Sequence, residues 1–81
     1  MQHVKDPVLL KKIGERIRHL RKEKKLSQLQ LAVLMDNHAE QIGRIERGEL
    51  NVTIGTLQKI AESLRIPITD LFPVPEPASS L

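Results

Sequence analysis

The stretch from Ser27 to Gly48 constrains this chain more than any other. It holds two short helical patterns separated by the polar break Asp36-Asn37-His38. Ser27 opens the first, and Gln30 follows three residues later. That spacing predicts a capping box, in which the serine oxygen accepts from the N3 amide while the glutamine side chain answers the cap amide. Leu31, Ala32, Leu34 and Met35 supply the apolar positions of this segment. In the second segment Ile42 and Ile45 are the apolar pair, and Gly48 stands just past the last turn as a helix stop. Two short helices joined by a tight turn, the second polar on its outer face, read as a helix-turn-helix. On this pattern alone, an ordinary helical hairpin fits about as well as a nucleic-acid binder.

The flanking chain also reads as helix. Asp6-Pro7 suits an N-cap followed by proline at the first helical position. The apolar residues Leu9 or Leu10, Ile13, Ile17 and Leu20 then fall at helical spacing. Gly14 interrupts that helix at ~1 kcal/mol relative to alanine, which points to a close approach by another helix. Thr53 suits the N-cap of a fourth helix with Ile54, Leu57, Ile60, Ala61 and Leu64 on one face. Pro67 starts a short fifth turn through Ile68, Leu71 and Phe72, and Pro73 ends it. No strand alternation, repeat or heptad run appears. The expected architecture is all-α and compact, with five helices and the motif at about 28–47 on the second and third. Residues 1–7 are expected to be a flexible start, 8–72 the domain and 73–81 a disordered tail.

Composition narrows the function. A chain of 81 residues holds one modest core, because a domain this short buries roughly 60% of the surface its unfolded form exposes. Phe72 is the only aromatic residue, so that core must be aliphatic. Cysteine is absent, which removes disulfides and thiolate metal sites. Thirteen Lys and Arg against ten Asp and Glu leave a net charge of +3, a balance that permits a polyanionic partner. No apolar run approaches the ~20 residues of a membrane span, and no signal-type segment opens the chain, so a cytoplasmic protein is expected. His3, His19 and His38 share no metal-ligand spacing. Neither a Gly-rich phosphate loop nor a Ser-His-Asp arrangement is present, so no metal, cofactor or catalysis is expected.

At this point the chain resembles the Cro/lambda-repressor type of helix-turn-helix domain. The residues that carry the likeness are Ile17, Leu20, Arg21, Leu26, Ser27-Gln28, Leu31-Ala32, Ile42, Arg44-Ile45-Glu46-Arg47-Gly48, Leu57, Ile60-Ala61 and Leu64. It covers about Ile13 to Phe72. The resemblance implies a lambda-repressor-like five-helix fold whose third helix lies in the major groove of duplex DNA. It also implies an ion pair between Arg21 and Glu46, joining the first helix to that recognition helix. The sequence departs from the family at the turn, where the family favours Gly, an apolar residue, then Ser or Thr. Asp36 can adopt the left-handed backbone that glycine usually supplies there. His38 is a weak cap, whereas Asn37 with Glu40 three residues on would make a good one. The start of the recognition helix is therefore open by one position.

Base reading needs side chains near that start, pointing away from Ile42 and Ile45: Ala39, Glu40, Gln41, Gly43 and Arg44. Arg44 suits guanine O6/N7, Gln41 suits adenine N6/N7, Glu40 can accept from cytosine N4, and Ala39 can touch a thymine methyl. Gly43 is small enough to let the helix approach closely. Glu40 could instead serve only the helix dipole. The resemblance implies a phosphate contact for Gln28, which could otherwise be a solvated surface glutamine, and Arg47, Asn51 and Thr53 are further candidates. Thr53 could equally do no more than cap, and Arg47 could stay in water. Arg16, Lys22, Lys24 and Lys25 add long-range attraction or are simply solvated.

A single such domain touches few bases. The resemblance therefore implies a homodimer on a palindromic site with half-sites ~34 Å apart. Ile66, Ile68, Leu71 and Phe72 are the candidate dimer interface, unless Phe72 closes the core. The expected function is sequence-specific, double-stranded DNA-binding transcriptional regulation. The alternative is an antitoxin or other interaction module of the same fold, with a protein such as a toxin or RNA polymerase as its partner.

Overall fold

The Asp6 carboxylate accepts from the Leu9 amide at 3.0 Å, Pro7 follows at the first helical position, and the first helix runs from there. In this computed structural model residues 6–73 are described. Helix α1 spans Pro7–Glu23, α2 Gln28–Leu34, α3 Ala39–Glu46 and α4 Ile54–Leu64, and a 3₁₀ turn covers Ile68–Leu71. No strand occurs among the described residues. Of the flexible start expected over 1–7, Asp6 and Pro7 instead cap and open α1, while residues 1–5 and, of the tail expected over 73–81, residues 74–81 lie outside the described residues. The expected fifth helix is thus a single 3₁₀ turn. Between Pro67 and Pro73 the turn closes with i to i+3 bonds, among them Asp70 N–H to Pro67 O and Phe72 N–H to Thr69 O.

One aliphatic core joins the elements. From α1 come Leu10, Ile13, Ile17 and Leu20; from α2 Leu31 and Ala32, with Met35 at its C-cap; from α3 Ile42 and Ile45. Leu57, Ile60, Ala61 and Leu64 enter from α4 and Leu71 from the 3₁₀ turn. Each fully buried Leu or Ile contributes roughly 1.5–3 kcal/mol relative to an exposed one. Two apolar residues expected in this core stand outside it. Leu34 lies off the stripe that Leu31, Ala32 and Met35 form on the short α2, and it is 56% exposed. Ile54, the first residue of α4, is 66% exposed. Helical Cβ atoms tilt toward the N-terminus, so a first-turn side chain overhangs the end of the helix and misses the core below.

All four helices stop in the same way. Lys25, Asp36, Gly48 and Arg65 take left-handed φ values of 61°, 55°, 74° and 60°. The next residue's N–H then reaches back across the last turn: Leu26 to Arg21 O, Asn37 to Ala32 O, Glu49 to Arg44 O and Ile66 to Ala61 O. Together with the shorter bonds from Lys25, Asp36, Gly48 and Arg65, these are Schellman closures that satisfy the terminal carbonyls. Only one of the four positions is glycine.

Helix α1 crosses α3 at Gly14. A Cβ there would collide with the carbonyl oxygens of Ile45 and Glu46, so the close approach needs a residue without one. Arg16 turns the other way, donating from Nε and Nη2 to the Asp70 carbonyl at 3.1 and 3.0 Å, which ties the 3₁₀ turn to α1.

Candidate nucleic-acid interface

The turn between α2 and α3 decides which side chains reach outward. Asp36 takes the left-handed position. Asn37 Oδ1 accepts from the His38 amide at 2.7 Å, so its side chain is folded against the turn instead of capping α3. His38 is the N-cap, its side chain makes no capping bond, and Ala39 is the first helical residue. The capping box between Asn37 and Glu40 therefore does not form. Helix α2 does carry its box: Ser27 Oγ accepts from Gln30 N–H at 3.0 Å, and Ser27 N–H donates to Gln30 Oε1 at 2.7 Å.

A buried polar cluster sets the angle of α3. Arg21 Nε donates to Glu46 Oε2 at 2.6 Å and Arg21 Nη2 to Glu46 Oε1 at 3.0 Å. Arg21 Nη1 donates to the Leu26 carbonyl at 2.7 Å, and Gln28 Nε2 donates to Glu46 Oε1 at 3.1 Å. The two charged side chains are 7% and 2% exposed. Three elements, α1, the start of α2 and the end of α3, are thereby fixed to one carboxylate. Bidentate guanidinium–carboxylate geometry is what makes such a pair directional.

On α3, Glu40 and Arg44 are exposed one turn apart, on the side opposite Ile42 and Ile45. Gln41 is half-buried in a cleft between α3 and the start of α4, lined also by Asn37, Asn51, Thr53 and Thr56. Ala39 is half-buried against the core. Gly43 is buried on the flank of α3, beneath the side chains of Gln28 and Arg47. The Thr53 hydroxyl is engaged within its helix: Oγ1 accepts from Thr56 N–H at 3.1 Å and donates to Thr56 Oγ1 at 3.0 Å. Asn51 is exposed beside it.

The structure divides the residues named for dimerisation. Leu71 is wholly inside the core, so it has no surface to offer a partner, and that expectation is corrected. Ile66, Ile68 and Phe72 are partly buried and pack on the outside of the core.

Two residues that the sequence reading passed over belong to this surface. Arg18 of α1 is exposed and lines one shallow cleft with Gln28, Gly43 and Arg47. Its signal was the three-residue spacing to Arg21, which places both on the side of α1 facing α3. Glu49 is the other. Its carboxylate accepts from Arg47 Nε at 2.8 Å and from Arg47 Nη2 at 3.3 Å, and it lies 3.8 Å from Arg44 Nε. The hydrogen bond from Arg47, more than burial opposes it, holds the Glu49 carboxyl below the usual carboxylate range and raises Arg47 in turn. No sequence rule pairs a residue one past a helix-stop glycine with side chains on that helix.

Among the described residues no His, Cys, Asp and Glu cluster could hold a metal, and no helix is long and apolar enough to cross a membrane. What the surface presents is the exposed carboxylate and guanidinium of Glu40 and Arg44 on the rigidly docked α3, flanked by polar side chains of α1, α2 and the loop after α3.

Comparison with known proteins fits this geometry. The family model described as helix-turn-helix (HTH_3) matches residues 17–71. The HTH-type transcriptional repressor RghR of Bacillus subtilis (strain 168) is 41% identical over 64 residues, covering 78% of this chain and 47% of RghR. The chain thus spans about half the length of that relative. The crystal structure of the restriction-modification controller protein C.AhdI from Aeromonas hydrophila superposes with a TM-score of 0.76 at 41% identity, over 78% of this chain and 96% of that one. Hydroxypropylphosphonic acid epoxidase from S. wedmorenis matches with a TM-score of 0.79 at 26% identity, over 84% of this chain but only 36% of the enzyme. The same shape is therefore also found as a minor part of a larger catalyst, and function must be argued from the surface residues.

Proposed function

This chain belongs to the helix-turn-helix family HTH_3, and we propose that it is a sequence-specific regulator of transcription that binds double-stranded DNA as a dimer on a palindromic operator. The observation that carries this reading is the exposure of Glu40 and Arg44 on the free side of α3 while Arg21, Gln28 and Glu46 clamp the opposite flank. A helix read by duplex DNA must offer polar side chains outward and must not rotate when they engage.

In this reading Arg44 takes guanine O6/N7, Gln41 adenine N6/N7 and Glu40 cytosine N4, with Ala39 beside a thymine methyl. Gly43 leaves room for Gln28 and Arg47 at the groove edge. Gln28, Arg47, Asn51 and Thr53 hold phosphates, joined by Arg18 from the same cleft as Gln28 and Arg47. For Thr53 the donors are the backbone amides that open α4, because its hydroxyl already serves Thr56. Ile66, Ile68 and Phe72 supply apolar surface for a two-fold contact that sets half-sites about one DNA turn, ~34 Å, apart. That the relatives include a repressor and a controller protein supports the regulatory assignment.

Selection of bound sites from random duplexes tests it directly. A palindromic consensus with that half-site spacing is expected, bound with affinity that falls steeply between low and moderate salt. Recovery of no consensus, or salt-independent binding, overturns the proposal in favour of a protein-interaction module.

A further inference from the structure

The two exposed arginines at the end of α3 are not simply free in solvent. Both look onto one carboxylate, Glu49, which sits one residue beyond the helix-stop Gly48. Arg47 meets it with Nε and Nη2, the two-pronged geometry that guanidinium groups also use on phosphate. Position is fixed by the backbone: the Glu49 amide is bonded to the Arg44 carbonyl at 2.9 Å in the Schellman closure of α3, which returns the carboxylate over the last turn. Arg47 and Glu49 side chains remain 59% and 48% exposed, so the contact lies where a polyanion would dock.

We propose that Glu49 is an internal stand-in for a DNA phosphate, competing with the sugar-phosphate backbone for Arg47 and so setting how strongly the chain holds duplex DNA regardless of sequence. The inference rests on the DNA-binding reading above and adds a residue to it. An ion pair this exposed is weak in water, so a real phosphate can displace it. Displacement leaves the carboxylate beside the phosphate with only the more distant Arg44, 3.8 Å away, to offset it, which opposes binding wherever Arg47 is used. The low-lying Glu49 titration agrees with a carboxylate that stays charged and engaged.

The test is Glu49→Gln, which keeps the size of the side chain and removes the charge. Wild type and variant are titrated with a fluorescent duplex of random sequence across a salt series. The expected result is about two- to fivefold tighter binding, with a log K against log salt slope steeper by about one. In an Arg47→Gln background the same Glu49→Gln change should have less than half that effect on a logarithmic scale. Unchanged affinity and slope, weaker binding by a folded Glu49→Gln variant, or an undiminished effect in the Arg47→Gln background each overturn the inference. A wild-type chain that binds no duplex overturns the DNA-binding reading as well, whereas normal wild-type binding with an inert Glu49→Gln sinks this proposal alone.

Discussion

Arg21 and Glu46, 25 residues apart in sequence, meet in a two-pronged contact of 2.6 and 3.0 Å that is closed off from water. The pair is completed on both sides: Arg21 also donates to the Leu26 carbonyl, and Glu46 also accepts from Gln28. Burial of two charges is costly, so the pair contributes orientation more than net stability. Removing either partner strands the other. Arg21→Ala or Glu46→Ala should each lose about 3–5 kcal/mol by denaturant unfolding. A double substitution to apolar residues of similar volume should recover most of that stability. Additive losses in the double mutant would show that the two side chains act independently.

Gly14→Ala should destabilise despite the better helix propensity of alanine. The added methyl has to displace the α3 backbone at Ile45 and Glu46, which cannot rotate away as a side chain can. A loss of about 2–3 kcal/mol is expected, the upper range of overpacking costs. Thermal unfolding reads it, and an unchanged or raised midpoint would contradict the crossing of α1 and α3.

Arg65→Gly should stabilise. Arg65 holds φ at 60°, a region that costs a residue with a Cβ roughly 1–2 kcal/mol and glycine little. Part of that gain is offset by the greater freedom of glycine in the unfolded chain. A net rise of about 0.5–1 kcal/mol is expected, or about 2–8 °C in Tm for a domain of this size. The opposite change at the matching position, Gly48→Ala, should destabilise, because φ is 74° there and Lys11 backbone atoms stand 2.9 Å from the new methyl.

His38→Ser should also stabilise. His38 is the N-cap of α3 without a side-chain bond, and Gln41 stands three residues on, so serine would create the capping box that α2 already has. About 1 kcal/mol is the expected gain by chemical unfolding. No gain would mean that the Asn37 bond to the His38 amide already fixes the helix start.

Arg44→Ala should relax preference at one base position, at about 1–3 kcal/mol of lost discrimination. Arg18→Ala should instead weaken every duplex alike and flatten the salt slope by about one. Competition binding with single-base operator variants separates the two. A uniform loss from Arg44→Ala would reassign it to a phosphate.

Local chemistry was legible before any coordinates. The Asp6-Pro7 start, the Ser27–Gln30 box, the Gly48 stop and the α1 stripe all follow from contacts within one turn, which sequence spacing reports directly. The helix-turn-helix itself could be read because both helices carry their apolar residues at helical spacing. The same logic failed for Leu34 and Ile54, since periodicity says which side of a helix is apolar but not where the core ends. It also counted as a fifth helix the short turn that Pro67 opens, which the structure shows to be a single 3₁₀ turn.

What the sequence by itself determined is the four α-helices, the N-caps of α1, α2 and α4 and the aliphatic character of the core, because these depend on neighbours a few residues away. Only the tertiary structure decided how the polar groups are shared. Arg16 spans to the Asp70 carbonyl, Gln28 turns to Glu46, Leu71 goes inside and Glu49 folds back onto Arg47. A long flexible side chain has many partners within reach of its own helix. Which one it takes is set by the crossing of α1, α2 and α3, and no spacing along the chain encodes that.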